Sequence, residues 1–484
     1  MRTQFLGWIG WAGLDTVGRL ALLTGSTAVF SRLLTPHDFG ITALVLVVVT
    51  IASVFVGTPV EEALAQRKVL RRAHLESALA ASWMVGVALL ALSVPAGILM
   101  AQGYHEPEIA VLLPVAMVSI FFSGHADIIT GLARRLRRFN DVAMATLGGH
   151  VIGIALALVI GLAGYGLWAL IAQRLLVTIA RAFLLQWRIG FLILPRWSYP
   201  HLIGFKRMAS MALVDRLADN INFLAFNGIV GALYGITALG YVNMAMRLIE
   251  PVRGAFGATG HNLAFSFFAA VQHDKPQLRA RADLILSRSA FAIAPAFVGL
   301  AAVTPVLLPV IAGPGWEQAI PIGIYFGIGS AIAIPARLVF SALSAIALPE
   351  YGLIANLLGV AGTLVALAGL SGMGPESIGL ARLAGDVLQA VAAIMMMPRE
   401  FVWPPMERLR ALLPAWGISA AMGLLVAGAH VLTPGVGNLP ALVALIGIGV
   451  VAYGGLLAVF SPVGFRDLVH LVQPARAAAL KTER

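Results

Sequence analysis

Asp15 and Arg19 stand four residues apart inside an apolar run otherwise fit for a lipid bilayer. At that spacing both side chains share one face of a helix. The pattern recurs along the chain. Asp215, Asp219 and Asn222 mark one helical face; Asn243, Arg247 and Glu250 a second; Arg174, Thr178 and Arg181 a third; Arg382, Asp386 and Gln389 a fourth. Asp127 and Arg337 stand within further apolar runs. A charge at bilayer depth is costly, so each of these must meet a partner or a wet cavity. Arginine is the side chain whose planar fork grips the paired oxygens of a phosphate. Arg19, Arg174, Arg247, Arg337, Arg382 and Asn243 are therefore read as binding groups lining one hydrated central cavity. The acids Asp15, Asp127, Asp215, Asp219, Glu250 and Asp386 are read as their charge partners or as carriers of H⁺ or Na⁺. For Asp15 with Arg19, and Arg382 with Asp386, the competing reading is a bridge that locks helices together. Arg181, Arg216 and Arg253 fall near span ends, where long stems snorkel to the headgroups. His125 and His150 read as polar helix contacts.

The elements that position these groups are membrane spans. The chain is 60% hydrophobic and 11% charged, with mean hydropathy +0.91, against a charged fraction of about 25% in soluble domains. Apolar runs long enough to cross a bilayer fall at about 7–33, 38–57, 75–101, 108–132, 142–163, 165–187, 208–231, 236–257, 285–312, 318–345, 351–371, 376–397, 410–432 and 439–461. The expected fold is an all-α polytopic membrane protein of about 14 transmembrane helices. The formal charge of +11 lies in alternate loops, which orients a membrane protein and argues against a nucleic-acid partner. Arg134, Arg135, Arg137 and Arg138 follow the fourth span, whereas the turn after the third is QGYHEPE. Both termini are thereby expected in the cytoplasm. The chain has no cysteine, and the sequence contains no phosphate-binding GxxxxGK[ST] loop and no metal-ligand spacing. No cofactor is expected, and no enzyme motif appears.

A repeat underlies the plan. Shifting by two hundred residues brings Asp15 onto Asp215, Leu33 onto Leu233, Gly40 onto Gly240 and Gly57 onto Gly257. Six spans precede the connector, so the halves enter the membrane from one side and the repeat is parallel. The expected partition is 1–188 and 205–398 as two six-helix bundles, 189–204 as an interfacial connector carrying Pro195, Trp197 and Pro200, and 399–484 as an added helix pair with a basic tail.

The run SRLLTPHDFGITAL at 31–44 resembles the signature of Wzx-type polysaccharide flippases, members of the multidrug/oligosaccharidyl-lipid/polysaccharide exporter superfamily. PVEEALAQRK, GYGLWALIAQRL and YGITALGYVNMAMRL extend the likeness. The resemblance implies two six-helix bundles around a cationic cavity that alternates between inward-open and outward-open states. It implies a cargo of undecaprenyl-diphosphate-linked oligosaccharide, carried to the periplasmic leaflet of the bacterial inner membrane for exopolysaccharide or O-antigen export. A polysaccharide polymerase and export machinery would be its partners, besides membrane lipid. Three other readings stand beside it: a lipid II flippase, a cation-exporting multidrug antiporter of the same superfamily, and a membrane-embedded glycan-assembly enzyme. A cation exporter should present net acidic faces, and here deep arginines match the acids.

Overall fold

The TPHD sequence at 35–38 shows how local chemistry builds this fold. In the computed structural model, Thr35 caps helix α2 (Pro36–Val56). The Asp38 backbone amide donates to Thr35 Oγ1 at 3.3 Å, and the Thr35 amide donates to Asp38 Oδ2 at 2.9 Å. Both otherwise orphaned donors at the helix start are thus satisfied. Pro36 occupies the first turn, where its missing N–H costs nothing. The preceding helix α1 is Arg2–Leu33. The structure describes residues 2–57, 61, 64, 70–190, 192–203, 213, 223–269, 274–346, 348, 350–396, 404–432 and 439–461.

The described helices follow the expected spans closely. After α2 come α3 (Arg72–Tyr104), α4 (Ile109–Met117), α5 (Ser119–Arg135), α6 (Phe139–Ile160), α7 (Trp168–Ile189) and the short α8 (Tyr199–Ile203). They continue with α9 (Phe223–Tyr234), α10 (Ile236–Ala269), α11 (Lys275–Ala312), α12 (Ala319–Arg337), α13 (Val339–Ala345), α14 (Glu350–Gly369), α15 (Glu376–Met395), α16 (Pro405–Leu432) and α17 (Leu439–Phe460). Among the described residues, 11 helical segments are long and apolar enough to cross a membrane. Helices α1, α9 and α10 stand where the first, seventh and eighth spans were placed. Large apolar side chains face outward on many of them, among them Val365, Leu424 and Val451, as lipid solvation requires. The chain is an all-α, multi-pass membrane protein.

The fourth span runs through α4 and α5, which meet at Val118, and the tenth through α12 and α13, which meet at Leu338; both junction residues keep right-handed helical dihedrals, so each span continues as one helical segment. At each junction the helix tightens locally, the Val118 amide bonding the Val115 carbonyl and the Leu338 amide the Pro335 carbonyl. The stretch 258–283, between the eighth and ninth expected spans, is helical at both ends. Helix α10 runs on to Ala269, and α11 starts early because Asp274 caps it by accepting from the Gln277 amide at 3.0 Å. That capping signal outweighs the polar composition of the first turns.

The chain divides into two compact units, Met1–Asn243 and Met244–Arg484. This boundary falls inside α10, not at the connector. In the N-terminal unit, α6 packs along α7 and α3 along α4, over a core that includes Leu75, Leu79, Ile128, Ile129, Leu132 and Leu185. In the C-terminal unit, α11 packs on α12 and α16, and α15 on α12 and α14.

The two copies of the repeat motif touch each other within the N-terminal unit. A Cβ built on Gly40 would lie 2.0 Å from the Ile236 carbonyl oxygen, and one built on Gly240 would lie 1.7 Å from the Pro36 carbonyl oxygen. Only glycine allows backbones to approach this closely. Nearby, Tyr104 donates its hydroxyl proton to the Gly228 carbonyl at 3.1 Å, and His37 Nε2 meets Glu106 Oε1 at 2.7 Å. At the other end, Arg72 Nη2 donates to the Leu192 carbonyl at 2.9 Å and the Arg196 amide to the Glu76 carbonyl at 3.2 Å. The connector is thereby stitched to the base of α3, and it leaves Trp197 and Tyr199 exposed.

Candidate functional site

Among the described charges, three groups bear on the site, one in the interior of each unit and one at the polar end of the N-terminal unit. In the N-terminal interior, Asp127 on α5 faces Arg181 on α7, with Asp127 Oδ1 3.5 Å from Arg181 Nη1. Arg181 Nη2 donates to Thr130 Oγ1 at 3.1 Å. Arg174, two turns away on α7, is drawn electrostatically to Asp127 and repelled by Arg181. The Nε atoms of Arg174 and Arg181 are both buried without a hydrogen-bond partner among the described residues. Asp127 Oδ2 lies against Gly57 at the end of α2, where a Cβ would come within 2.3 Å of it. Asp127 thus feels Arg181 and Arg174 on α7 and, on its own helix, Arg134, which is itself paired with Glu61 at 2.7 Å. Asp127 and Arg181 each stand eight residues from the polar end of their helix, so the pair lies about 12 Å deep at 1.5 Å per residue. His150 adjoins this group: its Nδ1 contacts the Thr146 carbonyl at 2.9 Å, and it interacts electrostatically with Arg19, Arg181 and Asp15.

The C-terminal unit holds a second set. Arg382 Nε lies 3.7 Å from Asp386 Oδ1, and Arg382 also interacts electrostatically with Arg253 and Glu250. Arg253 Nε stands 3.6 Å from Glu250 Oε1. Asp386 is buried on Gly329, with Oδ2 unpartnered among the described residues, and Gln389 Nε2 donates to Asn356 Oδ1 at 3.0 Å. Arg247 is partly buried on α10, as is Asn243, the last residue of the N-terminal unit, and Arg337 is exposed at the end of α12. An apolar cleft of about 640 Å³ lies in the same unit, lined by Val252, Leu300, Val303, Met422, Val426 and Tyr453 among others. Its walls carry no charged side chain, so it suits a hydrocarbon and not a phosphate.

A third cluster shows what a purely structural charge lock looks like in this chain. Asp141 receives Arg138 Nε at 2.5 Å and Arg188 Nη1 at 3.1 Å, while Arg138 Nη2 donates to the Arg188 carbonyl at 2.9 Å. Every contact is short and directed, and it lies where α5, α6 and α7 end.

Several sequence expectations are placed by this geometry. Asp15 and Arg19 form no ion pair with each other among the described residues. Arg19 points outward, and Asp15 Oδ1 is buried without a hydrogen-bond partner there. Arg382 and Asp386 do pair. Arg181 and Arg253 were expected to snorkel. Instead Arg181 turns inward onto Asp127 and Thr130, and the Arg253 side chain is only 12% exposed and sits on Glu250. Arg181 is taken by a carboxylate on the packed helix α5, and Arg253 by one three residues earlier on its own helix. Asp215, Asp219, Asn222 and Arg216 lie outside the described residues. Thr130 and Gly57 were missed. A threonine three residues after Asp127, on the same helical face, was a usable signal; the contribution of Gly57 depends on a helix far away in sequence.

Comparison with known proteins bears on what such a site serves. A family model described as "Polysaccharide biosynthesis protein" matches residues 29–321. The chain belongs to this family. It is 22% identical over 324 residues to the succinoglycan biosynthesis transport protein ExoT of Rhizobium meliloti (strain 1021), a match spanning 65% of this chain and 64% of that one. It is 21% identical over 343 residues to the lipopolysaccharide biosynthesis protein WzxC of Escherichia coli (strain K12), spanning 66% of each. The chain thus aligns with just under two-thirds of the length of these relatives. In fold it is similar to the lipid II flippase MurJ in an inward closed conformation, with TM-score 0.74 and 15% identity over 96% of this chain and 100% of that one. An inward-facing multidrug resistance MATE transporter of the MOP superfamily follows at TM-score 0.57 and 14% identity, covering 81% of this chain and 95% of that one.

Proposed function

We propose that this polysaccharide-family protein is a flippase. It would carry an undecaprenyl-diphosphate-linked oligosaccharide repeat unit from the cytoplasmic to the periplasmic leaflet of the bacterial inner membrane by alternating access. The observation that carries the reading is the Asp127–Arg174–Arg181 group: two guanidiniums and one carboxylate, with Asp127 and Arg181 about 12 Å from the polar ends of their helices and buried donors left over. A diphosphate needs that kind of fixed, forked donor set. A cation exporter would need the opposite balance, with acids in excess. The apolar cleft of the C-terminal unit offers the kind of surface a polyprenyl tail would take. Transport names among the relatives, for succinoglycan in one case, support a glycan cargo. Arg247, Arg337, Arg382 and Asn243 are proposed as further cargo contacts. Asp15, Asp386 and Glu250 are proposed as charge partners or sites of H⁺ or Na⁺ coupling. The loop charges support a cytoplasmic position for both termini, and a polymerase with its export machinery would take the product for exopolysaccharide or O-antigen assembly. The repeat supports a duplication at 1–188 and 205–398, whatever the packing boundary.

Reconstitution tests the reading. Proteoliposomes bearing the purified protein should move a fluorescent polyprenyl-diphosphate oligosaccharide across the bilayer, and Arg174→Ala should abolish that movement while reconstituting normally. Transport of cationic dyes with no movement of the glycolipid would reassign the protein to drug export. Movement of lipid II alone would reassign it to cell-wall synthesis, and sugar transfer by the purified protein would make it an enzyme.

A further inference from the structure

We propose that Asp127 is a resident counter-ion which a cargo phosphate must displace from Arg181, and that it thereby limits how tightly the site retains an anion. The proposal rests on the reading above, that a phosphorylated head group is held here. Its independent support is the quality of the Asp127 contact. A carboxylate that exists to fix an arginine engages it as Asp141 engages Arg138 and Arg188, through short contacts that use up its donors. Asp127 does not. Its contact with Arg181 is 3.5 Å long; Arg181 Nη2 goes to Thr130, and Nε goes unused among the described residues. Arg174 makes no ion pair within 4 Å among those residues, although its Nε is buried and it feels the Asp127 charge. A buried charged donor without a partner is expensive to leave in place, and here two such donors adjoin one acid. A ligand with two or more anionic oxygens would complete what a single carboxylate leaves open.

The position of the acid is equally specific. Asp127 Oδ2 fills a niche that exists only because residue 57 lacks a Cβ. The carboxylate is therefore held beside the arginines without being locked to them. An incoming phosphate meets attraction from two guanidiniums and repulsion from the acid that stands 3.5 Å from one of them. The result is binding that is favourable enough to capture cargo and weak enough to let it leave. A transporter needs both, because an anion held too firmly stalls in the passage.

The experiment compares binding with turnover. Binding of inorganic pyrophosphate and of farnesyl diphosphate is measured on the detergent-purified full chain, and glycolipid movement is measured in proteoliposomes. Asp127→Asn should bind both probes roughly tenfold more tightly, the scale of coupling between close charges, while transport slows. Asp127→Ala, which empties the niche, should shift both readouts the same way and serves if the amide variant fails to purify as a monodisperse protein. Added to Arg181→Gln, the Asp127→Asn change should lose most of its effect. Weaker binding, or unchanged binding, in the Asp127 variants would overturn the proposal and leave the acid as a mere orienter of Arg181. If the wild-type protein itself binds neither diphosphate and moves no glycolipid, the flippase reading fails with it. If the wild type does both and the variants do not tighten, only the counter-ion proposal falls.

Discussion

Arg174 and Arg181 sit seven residues apart on α7, close to two full helical turns, so one stripe carries both. Thr178 lies between them on the same stripe, with its hydroxyl turned back to the Arg174 carbonyl at 2.8 Å. That stripe was legible in the sequence; the direction Arg181 takes was not. Depth along a helix suggests snorkelling, but the choice depends on what the neighbouring helix presents, and here it presents Asp127 and Thr130. In the same way, the four-residue spacing of Asp15 and Arg19 promised a pair that the structure does not make, whereas that of Arg382 and Asp386 promised one that it does. Spacing fixes a shared face, and tertiary packing decides the partner. Two outcomes follow at this scale. Thr130→Val removes the acceptor of Arg181 Nη2, and thermal unfolding in detergent should report a loss of about 1–2 kcal/mol, with transport reduced but retained. Arg138→Ala breaks the Asp141 lock and should lower the unfolding temperature while leaving diphosphate affinity in any surviving folded protein within about twofold, since the lock and the site share no contacts.

At the scale of helices, hydropathy located the spans because length and apolarity are what a bilayer demands. It could not show the tightened junctions at Val118 and Leu338, where the amide bonds three residues back, since such a local change leaves no mark on composition. Nor could it place the start of α11, which a capping aspartate fixes inside a polar stretch. The glycine crossing of α2 and α10 was half visible: the repeat paired Gly40 with Gly240 in sequence, but only coordinates bring each against the backbone of the other's helix. Gly40→Val and Gly240→Val should each cost about 1–3 kcal/mol through overpacking. The double variant should cost clearly less than the sum, because one displacement of the helices relieves both clashes. Equal and additive losses in thermal unfolding would show two independent contacts instead.

For the molecule as a whole, the absence of cysteine makes sidedness directly measurable. A single cysteine at Gly103, in the turn after the third span, should react with an impermeant maleimide applied to intact spheroplasts. One at Arg135 should react only after the membrane is opened. The reverse pattern would invert the orientation deduced from the loop charges. The crossing at Gly40 and Gly240 carries one more consequence. Position 36 of one motif meets position 240 of the other, and position 236 meets position 40, which is the self-complementary arrangement of a homodimer. Neither turn is then at liberty to drift alone, for a bulkier residue in one is answered at once by the backbone of its sibling.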